Sequence, residues 1–387
     1  MVAALRNRCL AAFFATGLLM LTGCGSGGHP HQVKTTSVPQ AVPAGAPAAP
    51  ALVSAGPNGL LLRGQPWWPA GFNGPQLATD YAVNFGCGAH VDLDAFFRRL
   101  PDNTLTRFAM FQALAVNKQT GALDFKAADA VFAAAEKYGR IILPVLTGQI
   151  GDCEDETFKE SRWYVDGWTQ LTPVHGRAVM SFRDWIDTAV NRWRSSPVLA
   201  GWELVGEPEA SNCGRTCDLR GRSCPPDGEQ ILRRFMDAAG ALVRAADPQR
   251  LIFSGLIGGT QCGVSGVSYR DIGASPNLDV LSYHDYSEEE GPLPGDRYSG
   301  LAARLAQARE LGKPLLVGEI GEYAGSCRSF EQRRDIIGGS MSGQRAAGSA
   351  GALIWAYVPD PRSNECTYDV GPDDPLWGLV AERTTLG

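Results

Sequence analysis

Leu199-Ala200-Gly201-Trp202-Glu203-Leu204-Val205-Gly206-Glu207-Pro208-Glu209 is an apolar run that closes on a carboxylate and then a proline. It reads as a buried strand that delivers one acidic side chain, Glu207, at its carboxyl end, where barrel enzymes gather their reactive groups. Glu203 lies four residues earlier on the inward face, as a paired interior carboxylate, and Glu209 beyond the proline is a solvated or loop-pairing residue. Runs of similar character recur at 69–72, 104–108, 140–146, 251–255, 278–283, 314–318 and 351–355. With 198–205 they make eight strands, the number that a closed parallel (β/α)8 TIM barrel needs.

The segments between them carry helical spacing. Phe182, Trp185, Ile186, Ala189, Val190 and Trp193 recur at intervals of three and four within 177–194, and Leu232, Phe235, Met236, Ala239, Leu242 and Val243 do so within 229–246. Further helices are expected at 126–138, ending at Gly139, and at 296–311, opening on Asp296 and stopped by Gly312 and Pro314. Shorter ones are expected at 268–274 and 376–383. Residues 59–68 read as a short hairpin on the barrel floor. Gly255-Leu256-Ile257-Gly258-Gly259 is too loosely spaced to be a phosphate loop.

The amino terminus carries an export address. Arg6 and Arg8 precede an apolar run from Leu10 to Leu21, too short to span and ending in Leu-Thr-Gly-Cys, so residues 1–23 read as a secretory signal. Residues 24–57 are rich in Pro, Ala and Gly and read as a flexible tether, with His29 and His31 as solvated residues in it. The barrel domain is then 58–387. Removing the signal takes two arginines and no acid, which moves the formal charge from −6 to −8 and argues against nucleic acid as a partner. Apart from Cys9 and Cys24, eight cysteines remain, an even number that reads as a disulfide framework. Pairing is expected for Cys87 with Cys153, Cys327 with Cys366, and Cys213, Cys217, Cys224 and Cys262 among themselves. The close spacing of Cys213, Cys217 and Cys224 raises zinc as an alternative, but paired knuckles and a nearby histidine are missing.

Glu319 ends the run Pro314-Leu315-Leu316-Val317-Gly318 as Glu207 ends its own, on what would be the seventh and fourth strands. Together with Trp202-Glu203-Leu204-Val205-Gly206-Glu207-Pro208, this order resembles clan A glycoside hydrolases, most closely the family 5 cellulases and mannanases. The resemblance covers about residues 59–358. It implies a retaining glycosidase with Glu207 as acid/base and Glu319 as nucleophile, no metal or organic cofactor, and a β-linked glycan of mannan or glucan type as substrate.

The same resemblance implies further roles. Tyr286, in the His-x-Tyr pattern of His284-Asp285-Tyr286, would hydrogen-bond the nucleophile. Arg107, a cation inside an apolar strand, would pair with Glu319. Trp355 would form the sugar platform, with Trp163 and Trp168 as candidates for outer subsites. The charge on Glu319 would raise the pKa of Glu207.

Gly206 stands where the family has an asparagine that contacts the sugar 2-hydroxyl, and the third-strand histidine is absent. A cell-wall glycan of unusual sugars, such as a galactofuran, is the alternative substrate that Gly206 encourages. Leu-Thr-Gly-Cys resembles a bacterial lipobox, implying lipidation of Cys24 and a monomer anchored to the outer face of the cell membrane. The rival from another class is a non-catalytic glycan-binding lipoprotein on a degenerate barrel.

Overall fold

The computed structural model describes residues 50–56, 58–84, 88–150, 158–174, 177–214, 216–218, 220–286 and 293–386. Cys24, nearly all of the tether, and the expected Cys87–Cys153 pair lie outside the described residues. No helix among the described residues is long and apolar enough to cross a membrane.

Eight parallel strands form the centre: β1 (Ala70–Asn73), β2 (Leu105–Ala109), β3 (Ile141–Val145), β4 (Gly201–Glu203), β5 (Leu251–Phe253), β6 (Leu281–Asp285), β7 (Leu315–Ile320) and β8 (Ala352–Ile354). They pair in the order β5-β4-β3-β2-β1-β8-β7-β6. The ring closes between β5 and β6 through a bridge from Phe253 to Val280, with Ser254 donating to the Val280 carbonyl at 3.0 Å. The chain is a single (β/α)8 TIM barrel, and each of the eight expected runs overlaps one strand.

A helix follows each strand: α1 (Leu93–Arg99), α2 (Lys126–Tyr138), α3 (Phe182–Trp193), α4 (Gly228–Ala246), α5 (Ser268–Gly273), α6 (Leu301–Glu310), α7 (Phe330–Ala346) and α8 (Leu376–Arg383). The three-and-four periodicity of α3 and α4 is their packing face. All six periodic residues of α3 are buried, and Phe235, Met236, Ala239 and Val243 of α4 lie against the same layer.

Strand alternation sorts the core into two layers. On β2, Phe108 joins the strand–helix layer, whereas Leu105 joins the interior cluster with Ile141, Leu143, Leu251 and Leu353. Arg107 shares the inward face with Leu105. Beneath the interior lies a four-stranded antiparallel floor made of Val53–Gly56, Gly59–Leu62, Gln65–Trp68 and Thr385–Leu386. Val53, Leu60, Leu62 and Trp67 from this floor plug the barrel from below.

Three expectations need correction. Val53–Gly56, which composition assigned to the tether, is a strand, because Val53 is a core residue and its backbone pairs with Gly59–Leu62. The helix expected over 177–194 begins only at Phe182. Arg177–Ser181 instead pairs antiparallel with Leu171–Val174, and the Ser181 hydroxyl caps α3 by accepting from the Asp184 N–H at 3.1 Å. Asp296 does not cap a helix. Its carboxylate closes a turn by accepting from the N–H groups of Tyr298 and Ser299, and α6 starts at Leu301.

Three disulfides join described residues: Cys213–Cys217, Cys224–Cys262 and Cys327–Cys366. The pairings expected for these six cysteines hold, and the thiols that a zinc ion would need are spent in bridges. Cys224–Cys262 ties the loop after β4 to the loop after β5, and Cys327–Cys366 ties the loop after β7 to that after β8. Their sequence separations of 38 and 39, against 4 for Cys213–Cys217, matter for stability. In the chain-entropy account, each long loop closure contributes about 4 kcal/mol and the short one about 2.

Candidate active site

Arg107 is the hub. Its Nε and Nη2 donate to the two carboxylate oxygens of Glu203 at 2.9 and 2.6 Å, and its Nη1 donates to Glu319 Oε1 at 2.7 Å and Asn73 Oδ1 at 2.8 Å. Arg107, Glu203 and Glu319 are each no more than 4% exposed. Burial acts against the guanidinium charge, but the two carboxylates outweigh it and hold the group protonated. The expected Arg107–Glu319 pair is present, and the tighter bidentate bond goes to Glu203, the interior carboxylate anticipated from alternation.

Glu319 reaches this interior through an irregularity. Leu315 and Val317 of β7 face the helices, as does Ile320, so the outward spacing lengthens from two to three residues. The register against β6 runs from Tyr283↔Val317 to His284↔Glu319, leaving Gly318 as the extra residue of a β-bulge. The bulge turns Glu319 inward beside His284. Asn73 at the end of β1 supports it, its amide donating to the Gly318 carbonyl at 2.9 Å while its oxygen accepts from Arg107. Asn73 was missed in the sequence; the available signal was a polar residue ending the otherwise apolar first run.

Glu207 stands past the end of β4, with a φ of 61°. This left-handed conformation is uncommon for a residue other than glycine and costs on the order of 1–3 kcal/mol. The Glu207 N–H donates to the Gly255 carbonyl at 2.9 Å, fixing the turn. Gly255 itself has to be glycine, since a Cβ there would lie 1.8 Å from the Val205 carbonyl oxygen. One loop thus presses on the other closely enough to aim the acid.

His284 links the two glutamates. Its Nδ1 is 2.7 Å from Glu207 Oε1 and 3.3 Å from Glu319 Oε2. The ring is fully enclosed, and its Nε2 has no hydrogen-bond partner among the described residues. Tyr286 donates its hydroxyl to Glu319 Oε2. Burial and the nearby charges of Glu319 and Glu207 raise the phenol well above its ordinary range, so it stays a donor. Oxygens of Glu207 and Glu319 and a nitrogen of His284 all lie within 4.8 Å of one another. The direct contacts of Nδ1 with both carboxylates make a proton the natural shared cation of this set.

The protonation preference runs opposite to the sequence expectation. Burial raises Glu319, outweighing His284 and Arg107, and the charge of Glu207 adds to the rise. For Glu207 partial burial acts upward, but the hydrogen bond and charge of His284, with Arg107, bring it below the usual carboxylate value. The reversal follows from burial of Glu319 and from His284, whose Nδ1 stands closer to Glu207 than to Glu319.

The remaining candidates divide. Trp355 stands half-buried at the end of β8, its backbone N–H donating to the Ile320 carbonyl at 2.9 Å. Trp163 and Trp168 pack on Phe235, Trp163 also on Phe182, and both belong to the core rather than to a cleft. Glu209 is buried and paired with Arg222 at 2.9 Å, and Glu322 is paired with Arg328 at 3.0 Å. At Gly206 a Cβ would sit 3.2 Å from Arg107 Nη2 and 3.6 Å from Val145, so a side chain there would press on the guanidinium.

Fold and site together define a (β/α)8 barrel with two glutamates converging at the carboxyl ends of its fourth and seventh strands. No family model matches the chain. Among curated proteins, it is 23% identical over 240 residues to a probable mannan endo-1,4-beta-mannosidase C of Aspergillus terreus, covering 57% of each chain. It is 24% identical over 268 residues to a probable mannan endo-1,4-beta-mannosidase F of Aspergillus flavus, covering 65% of this chain and 51% of that one. The chain therefore spans little more than half the length of these relatives. Among solved structures, the endo-1,4-beta-mannanase of Rhizomucor miehei superposes with a TM-score of 0.62 at 15% identity, over 86% of this chain and 97% of that one. The endoglucanase Cel5A of Pseudomonas stutzeri gives 0.51 at 15% identity, over 81% and 93%. At these identities the solved structures speak for the barrel fold.

Proposed function

We propose that this chain is a retaining glycoside hydrolase acting on a β-linked polysaccharide of mannan or glucan type, with Glu319 as nucleophile and Glu207 as acid/base. The observation that carries the proposal is the spacing of the pair. Carboxylate oxygens within 4.8 Å suit direct attack on an anomeric carbon, for which the groups stand about 5–5.5 Å apart. Inversion needs roughly 6.5–9.5 Å to admit a water between them. The mannosidase relatives favour mannan as the first substrate to try.

In this reading Arg107 and Tyr286 stabilise and orient the attacking carboxylate, and His284 holds Glu207 toward the scissile oxygen. Trp355 offers an apolar face to the pyranose ring. With no side chain at Gly206, the glycone would be held at its 2-position by some other group. The intact hydrogen-bonding around both glutamates weighs against a binding-only protein. The test is hydrolysis of an aryl β-glycoside panel and of mannan and glucan oligosaccharides, with NMR of the first-formed anomer. A β-anomer as initial product is expected; an α-anomer excludes retention, and no hydrolysis of any substrate leaves only the binding-protein alternative.

The proposal includes the anchor. The lipobox-like Leu-Thr-Gly-Cys supports lipidation at Cys24 and an outward-facing, membrane-held enzyme. Cys24→Ser is expected to move the protein from the membrane fraction to the soluble one with activity retained. A variant that still sediments with membranes would point to the apolar segment itself as the anchor.

A further inference from the structure

Two tyrosines at the rim of the site remain without a role. Tyr323 lies three residues past β7 and Tyr368 in the loop after β8. Their rings stack at a centroid distance of 4.0 Å and an interplanar angle of 25°. Tyr368 in turn meets Tyr286 edge-on at 5.2 Å. The pair therefore begins one ring away from the phenol that donates to Glu319.

The surroundings hold these rings rigidly. Ala324 and Thr367 exchange backbone hydrogen bonds at 3.0 and 3.4 Å, and Cys327–Cys366 clamps the same two loops. The Tyr368 carbonyl accepts from the N–H of Ala356, the residue after Trp355. Gly321 lets the rings close over the backbone: a Cβ there would lie 2.8 Å from Tyr286 Cε1 and 3.1 Å from Tyr368 Cδ1. Yet both Tyr323 and Tyr368 are only half-buried, unlike the enclosed Trp168. Aromatic rings fixed one ring away from the phenol that donates to Glu319 and left partly open suit the C–H face of a pyranose, and fixing them beforehand lowers the ordering cost of binding.

We infer that the stacked Tyr323–Tyr368 pair is an outer sugar-binding subsite, which takes a pyranose of a β-linked glycan beyond the one undergoing cleavage. This rests on the glycosidase reading and extends it to chain-length selectivity. A ring that serves only to pack against Tyr286 would affect short and long substrates alike; a subsite affects long ones selectively.

The experiment compares mannohexaose and cellohexaose with the matching 4-nitrophenyl β-glycosides, using the full chain. Tyr323 is the residue to change, because its ring stacks on Tyr368, whereas Tyr368 is the ring that meets Tyr286. In Tyr323→Ala the ratio of kcat/KM on the hexasaccharide to that on the aryl glycoside is expected to fall about tenfold, through KM, as loss of one aromatic contact implies. Tyr323→Phe should restore the ratio. Tyr323→Leu keeps apolar bulk in place of the ring, guards against simple unfolding, and should behave like the alanine variant. A ratio unmoved by both Ala and Leu overturns the subsite while leaving the enzyme reading intact. A wild-type protein that cleaves neither class of substrate overturns both.

Discussion

Glu319→Ala is expected to lose turnover on every substrate, by on the order of 10⁴- to 10⁶-fold, because the proposed mechanism forms its covalent intermediate on this carboxylate. Glu207→Ala should behave differently. On natural glycan the loss should be about 10²- to 10⁴-fold, the usual worth of a positioned general acid. On aryl glycosides with activated leaving groups the first step needs no proton and should be spared. The stranded glycosyl-enzyme should then be rescued by azide as a β-glycosyl azide. An α-glycosyl azide from Glu207→Ala would mean that the roles of the two residues are exchanged.

The same pair sets the pH dependence. In the proposed mechanism activity needs Glu319 ionised, which fails as pH falls through its pKa, and Glu207 protonated, which fails as pH rises through its own. In the free protein the first is raised and the second lowered, so the shared proton favours Glu319 and has to move to Glu207 before reaction. Bound glycan would cover the exposed part of Glu207 and expel water, which raises that carboxyl. The alkaline limb of kcat is therefore expected at higher pH than that of kcat/KM. Coincident alkaline limbs would show that substrate does not reset the acid.

Arg107→Met is expected to destabilise the fold by about 3–5 kcal/mol at neutral pH, measured by chemical denaturation, since it strands two buried carboxylates without their cation. Glu203 and Glu319 are 1% and 4% exposed and cannot turn to water. The pH dependence provides a check on cause. Stranded carboxylates have folded-state pKa values above their unfolded ones, so the stability they permit is present in acid and lost as pH rises through the folded values. The deficit should thus shrink toward acidic pH. Adding Glu203→Leu should recover part of it, because an apolar replacement removes one of the two unpaired charges. Arg107→Lys should rescue little, since an ammonium cannot reproduce the fork that spans Glu203, Glu319 and Asn73. A deficit that is constant with pH would point to lost packing instead.

By itself the sequence determined the barrel. Eight apolar runs, separated by segments of helical periodicity, admit few other architectures, since period and run length report directly on which faces are buried. It also determined that Glu203 faces inward and that His284 and Tyr286 share a face, because alternation holds wherever a strand is regular. What alternation could not reach was decided in three dimensions. Strict counting from Leu315 and Val317 would send Glu319 outward to the helices, and only the bulge at Gly318 returns it to the interior. That bulge is stabilised by Asn73, 245 residues away in the chain. The direction of proton sharing was also hidden, because it depends on the burial of Glu319 and on distances from Glu207 and Glu319 to His284. So was the Tyr323–Tyr368 stack, which exists because two loops distant in sequence are bridged and laddered together. Periodicity records the local face a residue occupies; a site is made of contacts between strands and loops, and these close only when the barrel does.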